Sequence, residues 1–176
     1  MNLYYGDGFK FICVDPGVRG CGFAQFEAGV LKHAAYIKNP TESGRGYDVY
    51  AKMAFAIGDR CLGSYQSLII ELPRIYGGSS QQKGDPNDLL DVAGVGAAIS
   101  AHLFTVVSKV ESVLPQEWKG QVPKEVMTGR ISRAITNEER NCIEKCYSSL
   151  THNVLDAIGI GLWKLNRINA RSILND

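Results

Sequence analysis

The stretch FICVDPGVRGCGFAQFE, residues 11–27, decides the fold class of this chain. Its first four residues are apolar and predict a short, fully buried strand. Pro16 and Gly17 end that strand, and a second β-rich run follows over residues 21–26. Asp15 stands at the end of the buried strand, where an isolated carboxylate is costly unless a cation or hydrogen-bond donors accompany it. The simpler alternative is that Asp15 caps the turn, because Asp favours turns for local reasons.

The order of predicted elements along the 176 residues indicates one α/β domain. The predicted elements are strands at 11–14, 21–26 and 30–37, a helix at 47–61, a strand at 67–71, a helix at 88–104, a strand within 105–113, a helical segment from Pro123, a helix begun by a capping box at Thr136 and Glu139, and a final helix at 153–171. The first three strands form an antiparallel meander, so we expect a mixed sheet. We expect residues 1–8 to be a loose extension of a single domain that covers residues 1–176.

The composition is that of an ordinary soluble globular protein. Hydrophobic residues make up 45% of the chain, charged residues 21%, and the net charge is +1. We find no apolar run long enough to cross a membrane. The five cysteines form no disulfide or zinc pattern, and Cys142 and Cys146 are expected on one helix face; this usage predicts a reducing, cytoplasmic location. Any affinity for nucleic acid must come from a local basic face.

Two further acids share the setting of Asp15. Glu71 also ends an apolar strand and is followed by Pro73, and Asp156 lies near the start of an apolar helix. If these elements are neighbours, the three carboxylates converge on a pocket that suits Mg²⁺. Two ions about 4 Å apart could stabilise both the attacking and the leaving oxygen of a phosphoryl displacement. Taken singly, each acid also suits a turn, a strand end or a helix cap.

Five motifs resemble RuvC-type Holliday junction resolvases of the RNase H-like superfamily. They are VDPGVRGCGFA, IIELP, DLLDVAGVGAAI, VLPQEWKGQVPK and HNVLDAIGIGLW, and the WKGxxPK part looks most like resolvases of bacteriophages. The resemblance implies an RNase H-like fold with a mixed five-stranded sheet flanked by helices. It also implies a homodimeric, Mg²⁺-dependent endonuclease, with Mn²⁺ as a substitute, that cuts four-way DNA junctions by paired symmetric nicks. Asp15, Glu71 and Asp156 match the metal ligands of that family.

The fourth metal ligand departs from the family pattern. An Asp or a His is expected three residues before the last acid, but Asn153 stands there and His152 precedes it. Positions three and four residues before Asp156 lie on the same helix face, so either side chain could reach the metal. Asn offers a neutral oxygen, and His offers an imidazole as a ligand or proton shuttle. Each could instead cap the helix, and Asn153 could also be an engineered replacement of an Asp.

Several cations and one aromatic residue are candidates for DNA contact. Among the lysines, Lys119 is the preferred candidate both for a catalytic role and for phosphate binding. The other candidates for phosphate contact are Arg74, Lys83, Lys124, Arg130 and Arg133; such contacts give position and salt dependence rather than sequence recognition. Tyr76 lies in a glycine-rich loop after Glu71 and could stack on unpaired bases. Trp118 is expected to pack in the core.

The sequence is also compatible with other functions. An RNase H-like nuclease for other branched DNA, flaps or RNA–DNA hybrids would share the acids. The neutral side chain of Asn153 favours a further alternative, a junction-binding protein with weak catalytic activity. An actin-like nucleotide-binding domain is disfavoured, because it needs two lobes and this chain offers one. For a dimer, we expect the helix at 88–104, rich in small residues, to lie near the interface.

Overall fold

A computed structural model describes residues 8–41, 44–74, 85–145 and 151–169. The strands are β1 Lys10–Asp15, β2 Gly20–Glu27, β3 Val30–Lys38, β4 Ser67–Glu71 and β5 Val110–Val113. The helices are α1 Tyr47–Gly58, α2 Pro86–Leu103, α3 Pro115–Trp118, α4 Lys124–Ala134, α5 Asn137–Asn141 and α6 Thr151–Lys164. Of the predicted loose extension at residues 1–8, only Gly8 lies among the described residues.

The five strands form one mixed sheet in the order β3-β2-β1-β4-β5. β1, β2 and β3 are antiparallel neighbours, as the predicted meander requires, and β4 and β5 are parallel to β1. The predicted mixed five-stranded sheet flanked by helices is therefore confirmed. Since β1 and β4 are adjacent and parallel, their carboxyl ends meet at the same edge of the sheet.

Helices cover both faces of the sheet, which explains why β1 is apolar at four consecutive positions. Phe11 and Cys13 pack on the face covered by α4 and α6, whereas Ile12 and Val14 pack on the face covered by α1 and α2. Successive side chains of a strand point to opposite faces, so a strand buried on both faces needs an unbroken apolar run.

Glycines allow α6 to lie unusually close to its neighbours. A Cβ at Gly22 of β2 would collide with the backbone carbonyl of Asn153, and one at Gly161 would collide with the ring of Phe26. Gly22 is also the register partner of Asp15. The first turn of α6 is therefore seated directly beside the end of β1.

Three features differ from the sequence-based expectations. The final helix ends at Lys164 rather than at 171, because Asn166 takes a left-handed conformation with φ 56° and the chain turns back. The short helix α3 was not expected. Cys142 lies just after α5 and its carbonyl accepts from Ala34 of β3, so the expected helix face with Cys146 does not continue there; Cys146 lies outside the described residues.

The four described cysteines, Cys13, Cys21, Cys61 and Cys142, are free. Among the described residues, no helix combines the length and the apolar character needed to span a membrane.

Candidate active site

The structure brings the three predicted acids to one edge of the sheet. Asp15 and Glu71 are the last residues of the adjacent strands β1 and β4. Asp156 lies in the second turn of α6, whose first turn packs on Gly22 opposite Asp15. The convergence thus depends on the parallel pairing of β1 with β4 and on the close approach of α6.

The electrostatics of Asp15 and Glu71 show that the carboxylates share one site. Burial, and then the negative charges of Glu71 and Asp156, raise the pKa of Asp15 well above its ordinary value. Burial also raises the pKa of Glu71, although Lys119 and the indole of Trp118 oppose that rise. The negative charges of the three acids therefore lie close enough to act on one another.

Lys119 is the cation at the centre of this cluster. Its Nζ lies 3.5 Å from Oε2 of Glu71 and 3.4 Å from Oδ2 of Asp156. Burial alone would lower the pKa of Lys119, but Glu71, Asp156 and Asp15 together raise it above its ordinary value. The ammonium group is therefore held in its charged form between two of the acids.

Trp118 combines core packing with a contact to the site. Its side chain is fully buried, as predicted, and its indole Nε1 donates to Oε2 of Glu71 at 2.6 Å. The Nζ of Lys119 lies 4.7 Å from the centre of the Trp118 ring, within the range of a cation–π contact. Sequence reasoning missed the hydrogen bond, since the two partners are 47 residues apart.

An open pocket of about 250 Å³ adjoins the acids. Its walls are formed by Asp15, Pro16, Glu71, Pro73, Arg74, Leu89, Val92 and Pro115. Two of the acids and the exposed Arg74 thus line the same pocket as residues of the first half of α2.

The donor set fits a hard divalent cation in kind, because it consists of carboxylate oxygens with excess negative charge. In the described part of the chain, no group of three or more His, Cys, Asp or Glu side chains is already arranged to hold a metal ion. The ammonium group of Lys119 lies within ion-pair distance of two of these acids, Glu71 and Asp156. A bound cation would compete with the Lys119 ammonium group for Glu71 and Asp156. Asp15, Glu71 and Asp156, with Asn153 or His152, are the residues that would then hold the ion.

Asn153 and His152 lie in the first turn of α6, and both are half-buried. The backbone of Asn153 rests against Gly22, which places this residue at the edge that carries Asp15. The choice between the two as fourth ligand stays a prediction.

The predicted DNA-binding cations are distributed unevenly around the site. Lys124, at the start of α4, is close enough to Asp15 for its charge to lower that pKa. Arg130 donates to the carbonyl of Asn169 at 3.0 Å, so its guanidinium group braces the chain after α6. Arg133 is exposed on α4. Tyr76 and Lys83 lie outside the described residues.

Two exposed cations that sequence reasoning missed lie at the same sheet edge. Lys38 ends β3 and pairs with Gly20, two residues before the partner of Asp15, and Arg19 immediately precedes β2. Within the described residues neither forms an ion pair with an acid, whereas Lys10 and Arg60, for example, are paired with Glu27 and Glu144. The sequence feature that could have identified Arg19 is its position in the turn directly after Asp15-Pro-Gly.

Solved structures with a similar fold include two of RuvC and one of a yeast resolvase. RuvC of Thermus thermophilus in complex with a Holliday junction substrate superposes with a TM-score of 0.60 at 14% identity, covering 88% of this chain and 91% of that chain. A second Thermus thermophilus RuvC structure gives 0.56 at 16% identity, covering 88% and 92%. The yeast mitochondrial Holliday junction resolvase gives 0.55 at 11% identity, covering 93% and 83%. No protein-family model and no curated protein matches this chain by sequence.

These comparisons establish the fold: this chain has the RNase H-like architecture of the RuvC-type resolvases. The expected likeness to resolvases of bacteriophages has no support from them, since the three structures come from Thermus thermophilus and yeast.

Proposed function

We propose that this protein is a metal-dependent endonuclease that resolves four-way DNA junctions by paired symmetric nicks. The observation that carries the proposal is the convergence of Asp15, Glu71 and Asp156 at one edge of a RuvC-like sheet. The similar fold of a RuvC bound to a Holliday junction substrate supports the choice of substrate. A nuclease for flaps or RNA–DNA hybrids would use the same acids and stays the alternative within this class.

In this proposal, the acids hold two Mg²⁺ ions per site, with Mn²⁺ as a substitute. Bound Mg²⁺ would supply stabilisation of the attacking and leaving oxygens of the scissile phosphodiester. Asp15, Glu71 and Asp156 act as ligands in their ionised forms, and Asn153 or His152 completes the set. Lys119, which lies beside Glu71 and Asp156, would bind a phosphate oxygen of the substrate as a point charge.

The proposed substrate also needs cations that contact its phosphates. We assign these contacts to Arg74, Lys124 and Arg133 and, beyond the sequence-based candidates, to Arg19 and Lys38. Lys83 and Arg130 are kept as predicted contacts, and Tyr76 as the residue that stacks at the junction centre. Such contacts give salt-dependent affinity without reading the sequence.

A homodimer is part of the same proposal. A four-way junction has two-fold symmetry, so two sites related by a dyad can nick strands of like polarity without dissociation. The small-residue helix α2 remains the predicted element near the interface. The cytoplasmic location and the single domain over residues 1–176 also stay predictions.

The decisive experiment incubates the protein with a synthetic four-way junction and Mg²⁺, beside duplex, flap and RNA–DNA hybrid controls. We expect paired nicks in the junction alone and a dimer by light scattering. Preferential cleavage of the flap or hybrid would transfer the function to the alternative nuclease. Junction binding without cleavage, in Mg²⁺ and in Mn²⁺, would favour the catalytically weak binding protein that Asn153 suggests.

Asp15→Asn, Glu71→Gln and Asp156→Asn should each abolish cleavage and leave junction binding largely intact. Because the pKa of Asp15 is raised in the folded protein, its ionisation costs stability as the pH rises above the unfolded value. Asp15→Asn should therefore melt at or above the wild-type temperature at pH 7.5 in EDTA. Asp59→Asn, at the exposed end of α1, is the matched control and should cleave normally. An active Asp15→Asn variant would refute the site.

A further inference from the structure

The indole N–H of Trp118 is the one hydrogen-bond donor from a buried side chain that the structure directs at an acid of the candidate active site, within the described residues. The Nε1–Oε2 distance of 2.6 Å to Glu71 is short for an N–H···O bond, as is typical when the acceptor carries charge. An indole N–H only donates, and it does not titrate in the physiological range. The indole N–H can therefore donate to Glu71 whether or not a cation is present.

The ring of Trp118 is fixed by the helix that carries Asp156. A Cβ at Gly159 would collide with that ring and would lie 2.9 Å from Ile131 of α4, so the ring fills the space that this glycine leaves. Gly159 lies one turn after Asp156 on α6. Trp118 thus touches α6 with its ring and Glu71 of β4 with its nitrogen, and bridges two elements that each supply an acid.

We propose that Trp118 is a positioning residue that holds Glu71 in place against Asp156 for metal binding. Within the described residues, the polar contacts that Trp118 and Lys119 make with the Glu71 carboxylate both fall on Oε2. The hydrogen bond therefore orients the carboxylate so that Oε1 is the oxygen presented to a cation. The inference rests on the proposed function, since it assigns Glu71 as a metal ligand.

A residue that merely filled the core would be replaceable by another aromatic ring. Trp118→Phe keeps most of the ring in the socket beside Gly159 and removes only the N–H donor. Trp163, the other tryptophan of the chain, is half-buried on α6 and serves as the matched control. Partners that orient a metal ligand typically change metal affinity by about 10–100-fold when they are removed.

The test titrates Mn²⁺ alone into wild-type protein and both variants by calorimetry, with urea unfolding in EDTA alongside. We expect Trp118→Phe to bind Mn²⁺ at least about tenfold more weakly, and Trp163→Phe to bind it as wild type does. Metal affinity that is unchanged in Trp118→Phe overturns the inference. The inference is also overturned if both variants lose Mn²⁺ affinity in proportion to their loss of unfolding free energy.

The indole N–H signals in a ¹H–¹⁵N spectrum supply a readout that does not depend on refolding of a Trp118 variant. We expect the Trp118 signal to lie downfield and to shift on addition of Mg²⁺. It should move upfield in Glu71→Ala, which removes the acceptor, while the Trp163 signal stays in place. A Trp118 signal that ignores Glu71→Ala overturns the inference.

The two proposals fail in distinguishable ways. Wild-type protein that binds Mn²⁺ and cleaves junctions, together with a Trp118→Phe variant of equal metal affinity, overturns the positioning role alone. Wild-type protein that takes up no Mn²⁺ overturns the proposed function and the positioning role with it.

Discussion

Replacement of Glu139 by Gln should destabilise the protein strongly, because Glu139 is the acceptor of a buried ion pair. Its side chain is 1% exposed and accepts two hydrogen bonds from Arg167, both at 2.6 Å. The backbone N–H groups of Leu31 and Thr136 donate to the same carboxylate at 2.8 and 2.9 Å. This cluster joins the start of β3, helix α5 and the turn that follows α6.

The magnitude follows from the pKa of Glu139. Burial alone would raise that pKa, but the hydrogen bonds from Arg167 and the two backbone N–H groups lower it from the ordinary 4.5 to about 2. At about 1.4 kcal/mol per pKa unit, this difference corresponds to about 3 kcal/mol of stability. Since the pKa is lowered, the contribution is complete above pH 4.5 and is lost as the pH falls towards 2. Glu139→Gln removes the charge and leaves the Arg167 guanidinium without its counter-ion.

The assay is urea unfolding of wild type and Glu139→Gln from pH 7 to pH 3. We expect the variant to be less stable by about 3 kcal/mol at pH 7, and the difference to shrink below pH 4.5. Glu138→Gln is the control: it makes the same charge change at an exposed position one residue away and should stay close to wild type. Equal losses in the two variants, or a difference that ignores pH, would refute the reasoning.

Two further predictions concern the first turn of α6. Gly22→Ala should weaken Mn²⁺ binding in calorimetry, because the new Cβ collides with the carbonyl of Asn153 and displaces the helix that carries Asp156. Gly96→Ala, whose Cβ meets Ile70 at an ordinary 3.6 Å, should bind normally; equal affinity in both would contradict the close-approach argument. Asn153→Asp should raise Mg²⁺ affinity if Asn153 is the fourth ligand. A silent Asn153→Asp beside an inactive His152→Ala would assign that role to His152.

Local sequence patterns were enough to predict most of the elements of this protein. The four consecutive apolar residues of β1 predict a strand buried on both faces, because successive side chains point to opposite faces of the sheet. Pro16 and Pro73 mark where β1 and β4 end, and thus place Asp15 and Glu71 at strand ends. These are properties of neighbouring residues, so they can be read without knowledge of the tertiary structure.

Contacts between residues distant in the chain required the tertiary structure. The sequence predicts that Trp118 is a core residue. Its indole nitrogen donates to Glu71 only because α3 packs between β4 and α6. The apolar pattern predicts that the last helix continues to residue 171, but the left-handed conformation of Asn166 turns the chain away. This turn allows Arg167 to bind Glu139. Likewise, Lys119 could be predicted to serve the site, but its place between Glu71 and Asp156 could not. Periodicity specifies which face of an element is buried, whereas the partner of a buried polar group depends on which elements meet there.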